Sequence, residues 1–309
     1  NSLAGAVQLA LLTLVLIAAL VWVERRGRRR RSYAASTRDT PPARMVLSKG
    51  KQTLCLLACC LPLLAGLGVP LWILGTYALR RVGQPLDPDL MAALANSVQV
   101  ALISAALATA IAYAVLQYAR AMDNSRIATL GRISTLGYAV PGTVLAVGLL
   151  VPLAGFDNWL DGLMRQHFGI STGLLFSGSI AIVIYACTLR FIAISFGTIE
   201  SGFSRVSRSI DMAARALGRT KAQMAWQIHR PIMTRAIAAA FLLVFVDAMK
   251  ELSATLLLRP FDFETLATFV YDRASQSALE EASIAALLIV LVGAVPMLFL
   301  GRLTTPKAS

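Results

Sequence analysis

The sequence predicts an all-α, polytopic membrane protein, and three observations carry that prediction. Of 309 residues, 57% are hydrophobic and 15% charged, with a mean hydropathy of +0.68, far outside the range of a soluble domain of this length. Seven apolar runs, at roughly 3–23, 52–78, 92–118, 133–154, 173–196, 234–258 and 282–301, are long enough to cross a hydrocarbon core of about 30 Å. The connecting segments also sort by charge. With 24–51, 119–132, 197–233 and the C-terminal tail placed in the cytoplasm, 22 Lys and Arg lie inside and 5 outside. The outer loops carry nine acids. The N-terminus is thus expected outside and the C-terminus inside. A net charge of +13 that follows topology in this way speaks against a nucleic-acid partner, which would need a clustered basic face, and leaves the lipid bilayer as the surroundings.

The first run, 3–23, ends in the basic cluster Arg25–Arg31, read as a stop-transfer flank, with acidic lipid as the sharper alternative. Residues 32–48, rich in Ser, Thr, Pro and Ala, are expected to form a flexible cytoplasmic linker. The chain thereby divides into a lone helix with its basic flank (1–31), the linker (32–48) and a six-helix unit (49–309). Because Asn1 opens almost directly on an apolar run, without a signal-peptide pattern, we expect the C-terminal part of a longer protein. Cys55, Cys59, Cys60 and Cys187 all fall in apolar runs and are expected to be packing residues.

The third run contains Asn96, Ser97, Gln99 and Ser104 and ends in Tyr113, Gln117, Tyr118 and Arg120; small and amide residues at such helical spacing join membrane helices. The fourth run contains Gly137–Gly142 with Pro141, expected as a mid-membrane kink that either lines a pathway or permits close packing. The outer loop at 155–172 places Phe156, Trp159 and Phe168 at the interface, with His167 as a surface residue.

Between the fifth and sixth runs, Ser209–Arg235 is the one long polar stretch of the C-terminal half. Its apolar residues, Ala213, Ala214 and Leu217, then Met224, Ala225 and Ile228, recur at helical spacing. Gly218 and Pro231 punctuate it, so two short helices joined by a glycine turn are expected, the second ended by the proline, which starts the next membrane helix. His229 within it is expected to face solvent or a partner. The sixth run carries Asp247, Lys250 and Glu251 at i, i+3 and i, i+4 spacing, on one helix face. Ionisable residues at such depth face a cavity, a partner or a path. Lys250 would neutralise one acid and leave a carboxylate over. Two readings follow: a structural ion pair, or a cation path in which that carboxylate takes part. Arg190 is expected to snorkel to the surface.

Two motifs carry a resemblance. Permease subunits of binding-protein-dependent ABC importers have a cytoplasmic loop E-A-A, three residues, G, nine residues, I-x-L-P. Here Met212, Ala213 and Ala214 stand at E-A-A, Gly218 at the glycine, and Ile228 to Pro231 at I-x-L-P. Met212 replaces the acid, with Asp211 one residue earlier, and Arg230 replaces the leucine. The segment Met249, Lys250, Glu251, then Ala254 to Phe261 is similar to the ferric-iron (Fbp-type) branch, with Ser253 where proline is expected.

The resemblance implies a six-helix type I ABC importer (MetI-like) transmembrane domain in the bacterial cytoplasmic (inner) membrane. The lone first helix would be the last span of a preceding, homologous permease half, now missing, in an internally duplicated protein. It implies a cytoplasmic ABC ATPase dimer docked on Asp211, Met212, Ala213, Ala214, Gly218, Ile228 and Pro231, and a soluble extracytoplasmic binding protein that delivers cargo. No P-loop sequence occurs, so no cofactor is expected on the chain itself and ATP acts through the partner. Asp247, Lys250, Glu251 and Pro141 are the path candidates, with no fixed metal site but transient contact at Asp247 or Glu251. The cargo implied is ferric iron; another small solute such as thiamine suits the same resemblance. From other classes, an intramembrane enzyme using Asp247 or Glu251 with His229, and a non-transporting membrane anchor, are the alternatives.

Overall fold

The computed structural model describes residues 48–81, 87–122, 131 and 135–304, together with isolated helical positions at Gln8, Leu12, Val15, Ala19 and Val23. The basic cluster at 25–31, the linker 32–48 except Ser48, and most of the first run lie outside the described residues.

Every described regular element is helical. In chain order these are α1 (Lys49–Leu63), α2 (Val69–Leu79), α3 (Pro88–Met122), α4 (Gly142–Phe168), α5 (Ile180–Ser204), α6 (Arg208–Ala216), α7 (Lys221–Gln223), α8 (Arg230–Met249), α9 (Ser253–Leu258), α10 (Leu266–Ser275) and α11 (Leu279–Thr304). A π-helical turn, Leu64–Gly68, joins α1 to α2, and another, Met224–His229, joins α7 to α8. The described residues thus hold six helices long and apolar enough to cross a membrane: 49–79, 88–122, 142–168, 180–204, 221–249 and 279–298.

The centre is the packing of α3, α5 and α8. Helix α3 presents a stripe of small buried residues, Ala93, Ala101, Ala105, Ala108 and Ala112, which lets neighbouring backbones approach. Phe191, Phe196 and Ile199 of α5 and Met233 and Val244 of α8 fill the space against it. Hydroxyls cross between helices as expected: Thr109 meets Ser195 at 3.3 Å, and Ser104 donates to the Ile184 carbonyl. Ser97 accepts from Leu266 N at 2.6 Å, and Asn96 donates to the Glu264 carbonyl. At the crossing of α5 and α8, a Cβ on Gly202 would fall 2.6 Å from Ala236 Cβ and 2.7 Å from Met233 Cε, so glycine is what permits that approach. The span 49–79 buries no side chain and packs beside α11, its leucines facing outward as lipid would require.

Three expectations are corrected. The fourth span is Gly142–Phe168 rather than 133–154: Thr135–Ala139 is a 3-10 turn and Pro141 stands at the N-cap of α4, so its missing N–H costs no helical bond. The acids that suggested an outer loop are carried on α4 itself. Asp157 accepts from the amides of Phe176 and Ser177, and Asp161 from those of Thr172 and Gly173, folding the short connection to α5 back onto the helix.

Pro231 stands in the first turn of α8, as expected of a residue that starts the membrane helix, but it does not end the helix before it. Residues 221–249 run on through the π turn, which opens the backbone just before the proline ring would strike the carbonyl four residues back. The turn before Pro70 has the same cause. The sixth span, finally, stops at Met249 instead of reaching residue 258. Lys250–Leu252 breaks it, and the six-residue α9 packs against α4 and α5.

Candidate functional site

The glycine turn expected in Ser209–Arg235 is present: Gly218 has φ +74°, and its amide and that of Arg219 bond back to Arg215 and Ala214. Ser207 and Thr220 cap the two flanking helices, Thr220 through a capping box with Gln223. Helix α6 is amphipathic in a particular sense. Its inner face is Asp211 and Ala214, both buried; its outer face bears Met212, 65% exposed, and beyond its end Leu217 is 80% exposed.

Asp211 anchors α6 to the bundle. Arg120, at the end of α3, donates from Nε to Asp211 Oδ2 at 2.8 Å. The same guanidinium donates to the carbonyls of Phe203 (3.0 Å), in the last turn of α5, and Val206 (2.9 Å), just beyond it. One side chain therefore ties α3, α5 and α6 together. His229, in the π turn, places Nε2 2.7 Å from Asp211 Oδ1 and Nδ1 2.9 Å from Gln117 Oε1. Phe203 stacks edge-on against His229 and lies under Arg120. Burial alone would raise the Asp211 carboxyl, but the hydrogen bonds and charges of Arg120 and His229 outweigh it and hold the group below its ordinary value. Tyr113 completes the anchor by donating to the Ala225 carbonyl at 3.0 Å.

The expectation that His229 faces solvent or a partner is therefore corrected: it is 1% exposed. Met212, at the position of the acid in the related loops, points outward, while Asp211 points inward. Ala213 is exposed, Ile228 half-buried and Pro231 exposed. Gln117 and Arg120 belong to the polar end of the third apolar run, where Tyr113, Gln117 and Arg120 recur at spacings of four and three residues; their contacts to Asp211 and His229 were not expected from the sequence.

A second cluster surrounds the break after α8. The three charges expected on one face divide. Lys250, with a side chain 61% exposed, pairs with Asp247 at 2.7 Å. The carboxylate left over is that of Glu251, which is 7% exposed and accepts from Arg190 Nη1 at 2.6 Å and from Ala254 N at 3.0 Å. Arg190 does not snorkel outward; it reaches this acid. Gly142 makes the pair possible, because a Cβ there would overlap Arg190 Nη1 and stand 3.0 Å from Glu251 Oε1. Pro141 thus adjoins the Glu251 pair through its neighbour. His229 and Glu251 belong to different clusters, 22 residues apart along one nearly continuous helix or roughly 30 Å at 1.5 Å per residue, which removes the geometry an enzyme built on both would need.

The end of the bundle away from α6 holds a cavity of about 370 Å³ lined by Asp89, Asn96, Asp262, Glu264, Asp272 and Arg273. An ion-pair lattice rims it: Arg273 with Asp87 and Glu281, Arg81 with Glu281, and Arg259 with Glu264 and Asp272. Burial raises the Glu264 carboxyl above its ordinary value, against the opposing charge of Arg259. Among the described residues, no three His, Cys, Asp or Glu side chains gather as metal ligands.

Residues 128–309 match the family described as binding-protein-dependent transport system inner membrane component. The chain belongs to that family. It is 24% identical over 307 residues to the Fe(3+)-transport system permease protein FbpB 2 of Haemophilus influenzae, covering 98% of this chain and 57% of that protein. It is 29% identical over 159 residues to the ferric transport system permease protein FbpB of Actinobacillus pleuropneumoniae, covering 51% of this chain and 23% of that one. The chain thus spans little more than half the length of the first of these relatives and less of the second.

Two solved structures share the fold. One is a chain of a bacterial alginate ABC transporter in complex with an alginate pentasaccharide-bound periplasmic protein, at TM-score 0.62 and 16% identity, covering 82% of this chain and 95% of that chain. The other belongs to a bacterial ABC transporter for alginate import, at TM-score 0.56 and 14% identity, covering 84% and 96%. The chain is accordingly a multi-pass inner-membrane ABC importer permease with the all-α type I fold.

Proposed function

We propose that this permease forms part of the translocation unit of an ATP-driven ferric-iron importer, with α6 as the element that docks a cytoplasmic ATPase dimer. The observation that carries the docking role is the two-sidedness of α6. Its buried acid is bound to Arg120 and His229, while Met212 and Leu217 stand unsupported in solvent at the same end of the bundle. An exposed apolar ridge on a short helix suits a groove on a partner. Force applied to that ridge would pass through Asp211 into α3, α5 and α8 together.

A soluble binding protein would meet the opposite end, where the acid-lined cavity opens. The remaining length of the relatives would supply the other permease half, joined through 1–31 and the linker 32–48. Ferric iron is supported by the Haemophilus and Actinobacillus relatives and by the Met249–Phe261 segment; the acids of the outer cavity are chemically suited to a hard cation. ATP would be bound and hydrolysed by the partner.

The test is uptake of labelled ferric iron into proteoliposomes by the full-length protein with its ATPase and binding protein. Uptake is expected to require ATP and to fall at least tenfold in Leu217→Asp, with the ATPase lost from the purified complex. Retention of the ATPase by Leu217→Asp would overturn the docking role, and uptake of thiamine in place of iron would overturn the cargo.

A further inference from the structure

We propose that the groove between α5 and α8 at the α6 end of the bundle is a binding site for an anionic phospholipid. The groove encloses about 610 Å³. Its walls are Val206, Ile232, Met233, Ala236 and Ala239, and it is also lined by Arg205 and Arg235. The floor is set by Gly202, whose missing side chain lets Ala236 and Met233 come against the α5 backbone.

Both arginines are exposed, and neither makes an ion pair or side-chain hydrogen bond among the described residues. No carboxylate lines the groove. Arg235 is the last charged residue before an uncharged stretch that runs to Val246, and Arg205 follows directly on α5, so both stand at headgroup depth.

A guanidinium pair above an apolar trough has one natural complement at a membrane surface. The phosphate receives the two planar donors, and the first methylenes of the acyl chain lie along Ile232, Ala236 and Ala239. A free anion would leave the apolar wall uncovered. A helix from another permease half would leave two guanidinium groups without counter-charge, unless it brought its own acids. The site is separate from the docking face of α6 and rests neither on ATPase coupling nor on iron.

The test is native mass spectrometry of the full-length protein, purified with its partners and exposed to equal amounts of phosphatidylglycerol and phosphatidylcholine. Wild type is expected to retain phosphatidylglycerol about tenfold over phosphatidylcholine, and the double variant Arg205→Gln/Arg235→Gln to fall to near parity. Arg205→Lys/Arg235→Lys should keep most of the preference. Lys49→Gln/Lys51→Gln, which removes the same charge outside the groove, should keep all of it. An unchanged preference in the double Gln variant, or an equal loss in the Lys49/Lys51 control, would overturn the site. So would complete displacement of phosphatidylglycerol by millimolar inorganic phosphate, the mark of a soluble-anion site. A photoreactive group introduced at Ala239 should attach to lipid; attachment to another permease segment would assign the groove to protein instead.

Discussion

At the scale of single residues, Asp211 and Glu251 are buried acids each held by a basic group far away in sequence, whereas the third buried acid, Asp157, is held by the amides of Phe176 and Ser177. Asp211 and Arg120 are separated by 91 positions, and Glu251 and Arg190 by 61. The need for partners was legible: charges inside or beside apolar runs must be neutralised. The identity of the partners was not, since spacing along one helix suggested Asp247, Lys250 and Glu251 as a set. The helix stops at Met249, Lys250 leaves the α-helical register at φ −102° and ψ 7°, and Glu251 turns inward while Lys250 turns out. A direct consequence concerns stability. Glu251→Ala leaves the half-buried Arg190 without its partner, and should destabilise the protein by about 2–3 kcal/mol. Replacing both partners with leucine should recover most of that loss, because the desolvation of two ions is then removed along with their attraction. Thermal unfolding of the two variants in detergent would measure it. Equal losses in the single and double variants would mean that the pair is not coupled.

At the scale of elements, long helices were easier to place than their ends. Apolar runs located the six described spans because lipid demands length and hydrophobicity whatever the neighbours are. Their boundaries shifted where side chains substitute for backbone: Asp157 and Asp161 let α4 run past its apolar segment, and the π turn lets the span at 221–249 run through Pro231. The α6 turn was legible in Gly218 because a positive φ selects glycine whatever surrounds it. Nothing lies within 4 Å of the Cβ that Gly218 lacks, so the glycine serves backbone conformation and not close approach. This separates two roles experimentally. Gly218→Asn, tolerated in the left-handed region, should keep most of the co-purifying ATPase. Gly218→Val, strained there by about 1–3 kcal/mol, should tilt α6 off its anchor and lose it. If both variants lose the ATPase alike, the glycine is itself part of the contact surface.

At the scale of the whole molecule, the two ends of the bundle differ in chemistry in a way that follows from the loops. The α6 end gathers Arg205, Arg208, Arg215, Arg219, Lys221, Arg230 and Arg235 around two acids, Glu200 and Asp211. The other end places Asp87, Asp89, Asp262, Glu264, Asp272, Glu280 and Glu281 around Arg81, Arg259 and Arg273, in an ion-pair lattice about an open cavity. Lys and Arg are retained on the cytoplasmic side during insertion, so the basic end should be the inner one. The orientation can be read from two exposed positions at opposite ends, Met212 on α6 and Phe261 in the loop after α9, the latter wholly exposed. In the full-length protein in whole cells, a membrane-impermeant maleimide should label Phe261→Cys directly and Met212→Cys only after permeabilisation. The native cysteines lie within spans 49–79 and 180–204, where such a reagent has little access. Labelling in the reverse order would put α6 outside the cell, where no ATPase could reach it, and would overturn the docking role and the charge rule together. Labelling of both thiols in intact cells would instead show that the six helices do not form the sealed bundle their packing describes.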